Sequence, residues 1–283
     1  MQQPPLEASR PSPGSRPRSY KTEAIVLRSI PMREADRLIT VLTPAMGKLP
    51  LTVRGARRIT SRLGGHLDVF NHARLTLALG HRIDVVTGAE SMESFGPLKA
   101  DLDRMTAGLY LLELTDALLP EAVPHPAAYG LLLQAIRTLN TPDAPHGTIA
   151  RYVELRLLED AGYLPELRQC LACERELTPG HHRYAPVMGG VVCGTCTIPA
   201  GQMLPLSVDA LKVLRHFARQ DLSTAVNLRL SPALGMELEG ILASSVHSVL
   251  ERDMATAGFI DHLRQLRRRA AASGTEPVGR ANP

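Results

Sequence analysis

Four cysteines carry the most specific chemistry in this 283-residue sequence. They are its whole cysteine inventory and form two pairs, Cys170-Leu-Ala-Cys173 and Cys193-Gly-Thr-Cys196, with nineteen residues between the pairs. Two intervening residues let both sulfurs of a pair reach one metal from a tight turn, and Gly194 eases the second turn. Two such knuckles at this separation point to tetrahedral Zn2+ held by four thiolates. Four thiolates fill the coordination sphere and leave no open position for water, so the implied role is structural. Binding energy from such a site is folding energy. Four free thiols or two disulfides are the alternatives, and His181 and His182, between the knuckles, could compete as ligands. A redox pair needs one C-x-x-C rather than two at finger spacing.

The second concentration of chemistry is cationic. Lys48 to Leu67 reads KLPLTVRGARRITSRLGGHL, a β-like run that ends in Arg54-Gly55 and continues into a loop with Arg57, Arg58 and Arg62. Arg28, Arg33, Arg37, Lys48 and Arg74 extend the set, so residues 20–75 hold ten Lys/Arg against four Asp/Glu. Residues 76–200 reverse the balance, nine against fifteen, within a chain of net charge +4. A packed core has no use for so many guanidinium groups, whereas a polyanion does: each phosphate neutralised releases counterions and gives sequence-indifferent, salt-dependent binding. Single-strand binders normally add aromatic stacking platforms. The chain has no Trp, and the basic region holds only Tyr20, Phe70 and Phe95. The reading is therefore phosphate-dominated binding that tolerates single and double strands. A solvated basic face, or one that docks an acidic protein, is the competing reading.

Catalytic patterns are poor by comparison. The sequence has no G-x-x-x-x-G-K-[ST] loop, no G-x-S-x-G elbow and no H-E-x-x-H. Glu34 and Asp36 form the one carboxylate pair that suggests a metal-dependent nuclease, but Arg33 and Arg37 flank it, which favours a surface ion-pair cluster. No apolar run approaches the roughly 20 residues that span a bilayer, and the N-terminus has no secretory apolar segment. A cytoplasmic location with reduced cysteines is the expectation.

The elements that must position these residues follow from periodicity. Residues 1–19, rich in Pro and Arg, read as a disordered leader. Residues 20–96 read as about five short strands: Ala24 to Ile30, Leu38 to Thr43, Leu49 to Arg54, an alternation with Leu75, Leu77 and Leu79 on one face, and a return through Ile83, Val85 and Thr87 after a tight Gly80-His81 connection. Turns every 8–12 residues predict a small β-barrel, either an oligonucleotide-binding (OB) fold or an SH3-like one. After Gly96-Pro97 the period becomes helical. Leu98, Leu102, Met105, Leu109 and Leu112 predict one helix, apolar over an arc wide enough to be buried on two sides, in a first helical part at 97–167. The cysteine pairs predict a separate short zinc finger at 168–200. Ser207 and Ser231-Pro232 start helices of a second helical part at 201–270, whose last helix ends in Arg264, Arg267, Arg268 and Arg269. A tail at 271–283 reads as disordered. The class is α+β multidomain: an N-terminal small β-barrel, then α-helical central and C-terminal parts with an inserted four-cysteine zinc finger.

One stretch resembles a known family. VLRSIPMREADRLITVLTPAMGKLPLTVRGARRITSRLGGHLDVF is similar to the N-terminal barrel of RecO, the bacterial recombination mediators. It contains Glu34, Asp36-Arg37, Thr43, Gly47, Gly55-Ala-Arg-Arg58 and Ser61-Arg-Leu-Gly-Gly65 in the family's order, and a leucine-rich helical part and four-cysteine finger follow. The resemblance favours the OB barrel and makes the zinc a stabilising module. It implies a non-enzymatic DNA-repair protein that binds single- and double-stranded DNA and anneals complementary strands. With RecR, it would help load RecA onto strands coated by single-strand-binding protein (SSB), close to the nucleoid. It places Arg37, Arg54, Arg57, Arg58 and Arg62 on the family's basic motif. It also implies an apolar pocket in the helical part for the acidic, Phe-ended SSB tail; by charge alone, Arg264 and Arg267 to Arg269 either serve such a tail or form a solvated helix end.

Overall fold

The structure is a computed structural model that describes residues 19–32, 35–56, 61, 63–198 and 201–272. The leader up to residue 18, the tail from 273, and Arg33, Glu34, Arg57, Arg58 and Arg62 lie outside the described residues.

Five strands come first: β1 (Ser19–Met32), β2 (Asp36–Thr43), β3 (Gly47–Val53), β4 (His72–Ala78) and β5 (Asp84–Glu93). They close into a barrel in the order β1-β2-β3-β5-β4, with β4 returning to β1. Neighbours are antiparallel except β3 and β5, which run parallel through Leu51↔Asp84 and Thr52↔Val85. The unbroken apolar run in β1 reflects burial on both faces. Ala24 and Val26 point into the barrel with Ile39, Val41, Leu51, Val53, Leu75 and Leu77. Ile25 and Leu27 point outward and join Leu42 and Phe70 in the core shared with the helices.

Leu75 and Leu77 are inward, as their alternation requires, whereas Leu79 is exposed. The return strand has the opposite phase to Ile83, Val85 and Thr87, because its buried positions are Asp84 and Val86. Asp84 sets that phase. Its carboxylate accepts from the Tyr20 hydroxyl at 2.6 Å and from the Gly80 N–H at 3.0 Å, closing a connection longer than a two-residue turn. Gly80 is required there, since a Cβ would meet the Ile83 carbonyl oxygen at 1.9 Å.

The helices are α1 (Gly96–Ala100), α2 (Leu102–Leu118), α3 (Pro126–Leu139), α4 (His146–Asp160), α5 (Val208–Arg219), α6 (Leu222–Ala225), α7 (Pro232–Leu250) and α8 (Ala255–Ala272). The single helix expected from Leu98 to Leu112 is divided at Asp101, whose carboxylate accepts the Arg104 N–H at 2.9 Å and caps α2. Pro126 is the first residue of α3, the position where a missing N–H costs nothing. Ser207 and Ser231 cap α5 and α7 with their hydroxyls. A three-stranded sheet, β6 (His182–Ala185), β7 (Gly190–Cys193) and β8 (Leu204–Leu206), has the order β7-β6-β8. Its Tyr184, Val191, Val192 and Leu206 belong to the same core as the helices, and the Tyr184 hydroxyl lies 2.7 Å from Ser245 Oγ on α7. The cysteine segment therefore does not stand apart as a small module: it forms one side of the helical core.

Barrel and helices meet through close backbone contact. Gly47 has φ +68°, and a Cβ there would lie 1.8 Å from the Val123 carbonyl oxygen. The Ala122 N–H donates to the Lys48 carbonyl at 2.9 Å. A polar chain runs beside this seam: Tyr129 OH to His72 Nε2 at 3.0 Å, His72 Nδ1 to Glu93 Oε1 at 3.0 Å, and Glu93 to Arg137 at 2.7 Å. The Arg137 guanidinium holds the Glu93 carboxyl below the usual carboxylate range.

Candidate nucleic-acid interface and metal centre

The barrel has a basic end. Strand direction places the β1–β2 connection and the long β3–β4 connection together, because Pro31 pairs with Arg37 and Arg37 with Val53. Arg54 follows Val53 directly and is exposed, with no ion pair among the described residues. Arg37 is partly exposed and 3.6 Å from Asp68. Asp36 is occupied structurally, since its Oδ1 accepts the Gly55 N–H at 2.8 Å. That bond fixes the path of the chain as it leaves β3, and Gly55 takes φ +63° to make the turn.

The connection is anchored on both sides of its arginines. Ala56 is buried in the barrel, and so is Leu67 in the short 3-10 turn Gly64–Leu67. A Cβ on Gly64 would lie 2.9 Å from the Ala56 carbonyl oxygen, so the two sides of the loop approach closely. His66 ties the turn to β5 through Ser91, at 2.9 Å. Arg57, Arg58 and Arg62 fall between these anchors, outside the described residues.

The other cations of the basic region go elsewhere. Lys48 is buried, and its ammonium meets the Asp116 carboxylate at 3.1 Å and the Asp116 carbonyl. Arg28 converges on the same carboxylate at 3.5 Å. Both therefore link the barrel to α2. Arg74 pairs with Glu23 across β1 and β4 at 3.3 Å. Arg37 and Arg54 are thus the described members that stand together at the basic end. His81 and Arg82 are also exposed, in the β4–β5 connection at the opposite end of the barrel.

The outer face between these ends is narrow. Leu42 and Lys48 are covered by helices and Thr40 is buried, which leaves Asp36, Leu38, Pro50 and Thr52 as the partly exposed outward positions of β2 and β3. None is aromatic. Such a face offers no ring on which a base would stack, and a phosphate backbone would find its cations only at the ends.

The four cysteine sulfurs lie within 4.8 Å of one another and are the one potential metal-ligand group of this kind among the described residues. Tetrahedral coordination at Zn–S of about 2.3 Å needs sulfurs roughly 3.8 Å apart, so the cluster fits such an ion. The Cys170 N–H donates to the Arg175 carbonyl and the Glu174 N–H to the Cys170 carbonyl, both closing the first knuckle, with Glu174 at φ +58°. Gly194 serves the second knuckle through space rather than through backbone freedom: a Cβ there would lie 2.6 Å from the His181 carbonyl oxygen. Cys170 is buried, and its sulfur accepts N–H groups from Ala172 at 3.4 Å and Cys193 at 3.3 Å. Arg175 holds the Cys173 thiol below its usual range by a direct hydrogen bond. His182 is turned away, with Nε2 on the Thr178 carbonyl at 2.7 Å.

A groove of about 420 Å³ lies between α2, α4, α7 and α8. Tyr110, Met236 and Ile260 supply apolar lining, and Arg264 and Arg267 stand on its rim. Both are ion-paired, with Glu239 and Asp103 respectively, at 2.7 Å. No helix among the described residues is long and apolar enough to cross a membrane.

Comparison with known proteins agrees with this arrangement. Residues 18–95 match the model of the recombination protein O N-terminal domain, and residues 99–256 that of its C-terminal domain. The chain is 40% identical over 253 residues to the DNA repair protein RecO of Roseiflexus sp. strain RS-1, covering 89% of each chain. It is 36% identical over 250 residues to the protein of that name from Symbiobacterium thermophilum, covering 88% of this chain and 99% of the other. With the Dehalococcoides mccartyi strain BAV1 protein it shares 33% identity over 250 residues, at 88% and 98% coverage.

Proposed function

Since the chain belongs to the RecO family, whose identity supports a role in DNA repair and recombination, we propose that it acts there as a non-enzymatic, DNA-binding mediator. We read the barrel as an OB fold, on the strand order β1-β2-β3-β5-β4 and the parallel closure of β3 on β5. Its basic end contacts phosphates through Arg37, Arg54, Arg57, Arg58 and Arg62, and Arg33 is added on charge. The single observation that carries this reading is the loop from Arg54 to Leu63. Its two ends are fixed in the barrel core while its sequence concentrates guanidinium groups. A chain held by its phosphates leaves its bases free, which suits annealing of complementary strands.

The wider reading follows the family. The protein works in the cytoplasm at the nucleoid with RecR, meets the acidic SSB tail, and assists RecA indirectly. We place the apolar end of that tail in the groove beside α8, its acidic residues competing with Glu239 and Asp103 for Arg264 and Arg267. The four cysteines hold a structural Zn2+, which supplies cross-linking between the two knuckles and no reaction. The domain reading is a barrel at 20–96 and helical parts at 97–167 and 201–270, with the finger at 168–200 between them.

The test is binding to unrelated single-stranded and duplex oligonucleotides over a series of salt concentrations. Wild type should bind all of them and weaken steeply with salt. Failure to bind a plain oligonucleotide at low salt would sink the proposal and favour an acidic protein as the partner of the basic end.

A further inference from the structure

Four thiolates around one divalent ion leave a centre with a net charge of −2, placed here in knuckles where Cys170 is buried and Cys173, Cys193 and Cys196 are partly exposed. Outer groups that hydrogen-bond to ligands orient them and stabilise that charge. The donors around the four sulfurs are unequal. Cys170 has two backbone N–H groups, from Ala172 and Cys193. Cys193 has the Thr195 hydroxyl at 3.2 Å. Cys173 has the Arg175 Nε at 3.4 Å, the one charged donor on any of the four sulfurs among the described residues.

The backbone accounts for this contact. Glu174 adopts φ +58°, and the Cys170 N–H donates to the Arg175 carbonyl at 2.9 Å. The chain therefore doubles back immediately after Cys173, and the side chain of Arg175 returns to the sulfur two residues before it. Arg183, on β6, adds a second cation near the cluster through a hydrogen bond to the Cys196 carbonyl. That contact reaches backbone, not sulfur, so it neutralises without orienting a ligand.

We propose that Arg175 is a positioning residue of the metal centre: it holds the Cys173 thiolate in place and offsets the centre's negative charge, slowing loss of the metal. This rests on the reading that the four cysteines bind zinc. Arg175 is exposed, so its contribution comes from the directed contact and its charge rather than from burial. The expected effect is at the lower end of the 10- to 100-fold range for loss of an outer partner: about tenfold faster release of metal.

The experiment uses the purified full chain. Metal content is measured first, then the rate of zinc transfer to a chromophoric chelator, for wild type, Arg175→Ala, Arg175→Lys and Arg168→Ala. Circular dichroism confirms that each variant is folded at the start. Arg168 is a nearby exposed arginine that makes no contact with sulfur, so its removal controls for general loss of positive charge. Support would be one zinc per wild-type chain, about tenfold faster release from Arg175→Ala, partial recovery in Arg175→Lys, and an unchanged rate in Arg168→Ala. Equal rates for wild type and Arg175→Ala, or equal acceleration by Arg168→Ala, would overturn the assignment while leaving the zinc reading intact. A folded wild-type chain that binds no zinc would overturn both.

Discussion

Cations that look alike in sequence hold different jobs in the structure, and the difference lies in which carboxylate each one meets. Lys48 and Arg28 share Asp116 on α2, whereas Arg54 stands exposed at the basic end. Arg54→Ala should weaken DNA binding to a similar degree for unrelated sequences and leave the thermal midpoint unchanged, as read by fluorescence anisotropy and differential scanning fluorimetry. Lys48→Ala should do the reverse: stability in urea falls by about 1–3 kcal/mol, because the partner carboxylate loses a buried cation, and the salt dependence of binding is retained. Another residue-scale prediction concerns Glu154. It is fully buried, 2.5 Å from the Tyr110 hydroxyl and 2.7 Å from Arg151, and burial pushes its carboxyl up to about 7 from 4.5. Its folded form holds the proton more tightly than its unfolded form. The stability from that protonation is complete below about 4.5 and is lost as pH rises toward 7. Glu154→Gln should therefore show a flatter fall in thermal midpoint across that window than wild type. A parallel fall in both would show that Glu154 does not titrate there.

At the scale of elements, the seam between barrel and helices rests on Gly47. Its positive φ and the Val123 carbonyl 1.8 Å from a notional Cβ leave no room for a side chain. Gly47→Ala should cost on the order of 2–4 kcal/mol, seen in urea unfolding, by separating the β2–β3 turn from the α2–α3 connection. What was legible in the sequence divides along the same line between local and distant causes. The cysteine knuckles were legible because the x2 spacing is itself the geometry, and so were the caps at Ser207 and Ser231. The inward phase of β5 was not. It depends on Tyr20, 64 residues before Asp84, donating to that carboxylate. Lys48 could not be told from Arg54 by charge alone, since Asp116 lies 68 residues away. The division of the first leucine-rich helix at Asp101 was open to reading, because Asp is a favoured residue at a helix N-terminus, but the continuous apolar period concealed it.

At the scale of the whole molecule, the cysteine sheet and the helices share one core, so a metal held by the four cysteines should stabilise more than its own loop. Removing it with a chelator should lower the main unfolding transition of the helical part rather than produce a separate early melt. Two resolved calorimetric transitions, with only the smaller one metal-dependent, would contradict this. The barrel contributes the other half of the account, because Arg37 and Arg54 stand at its basic end while Lys48 and Arg28 are engaged with Asp116. The measurement that tests the central claim most directly is the slope of log affinity against log salt for a single-stranded oligonucleotide, in wild type and in the Arg57→Ala/Arg58→Ala double variant. Loss of two phosphate contacts should make the slope shallower by roughly 1.4, at about 0.7 per contact, for every sequence tried. A double variant with the wild-type slope and affinity would show that DNA does not bind at this end of the barrel.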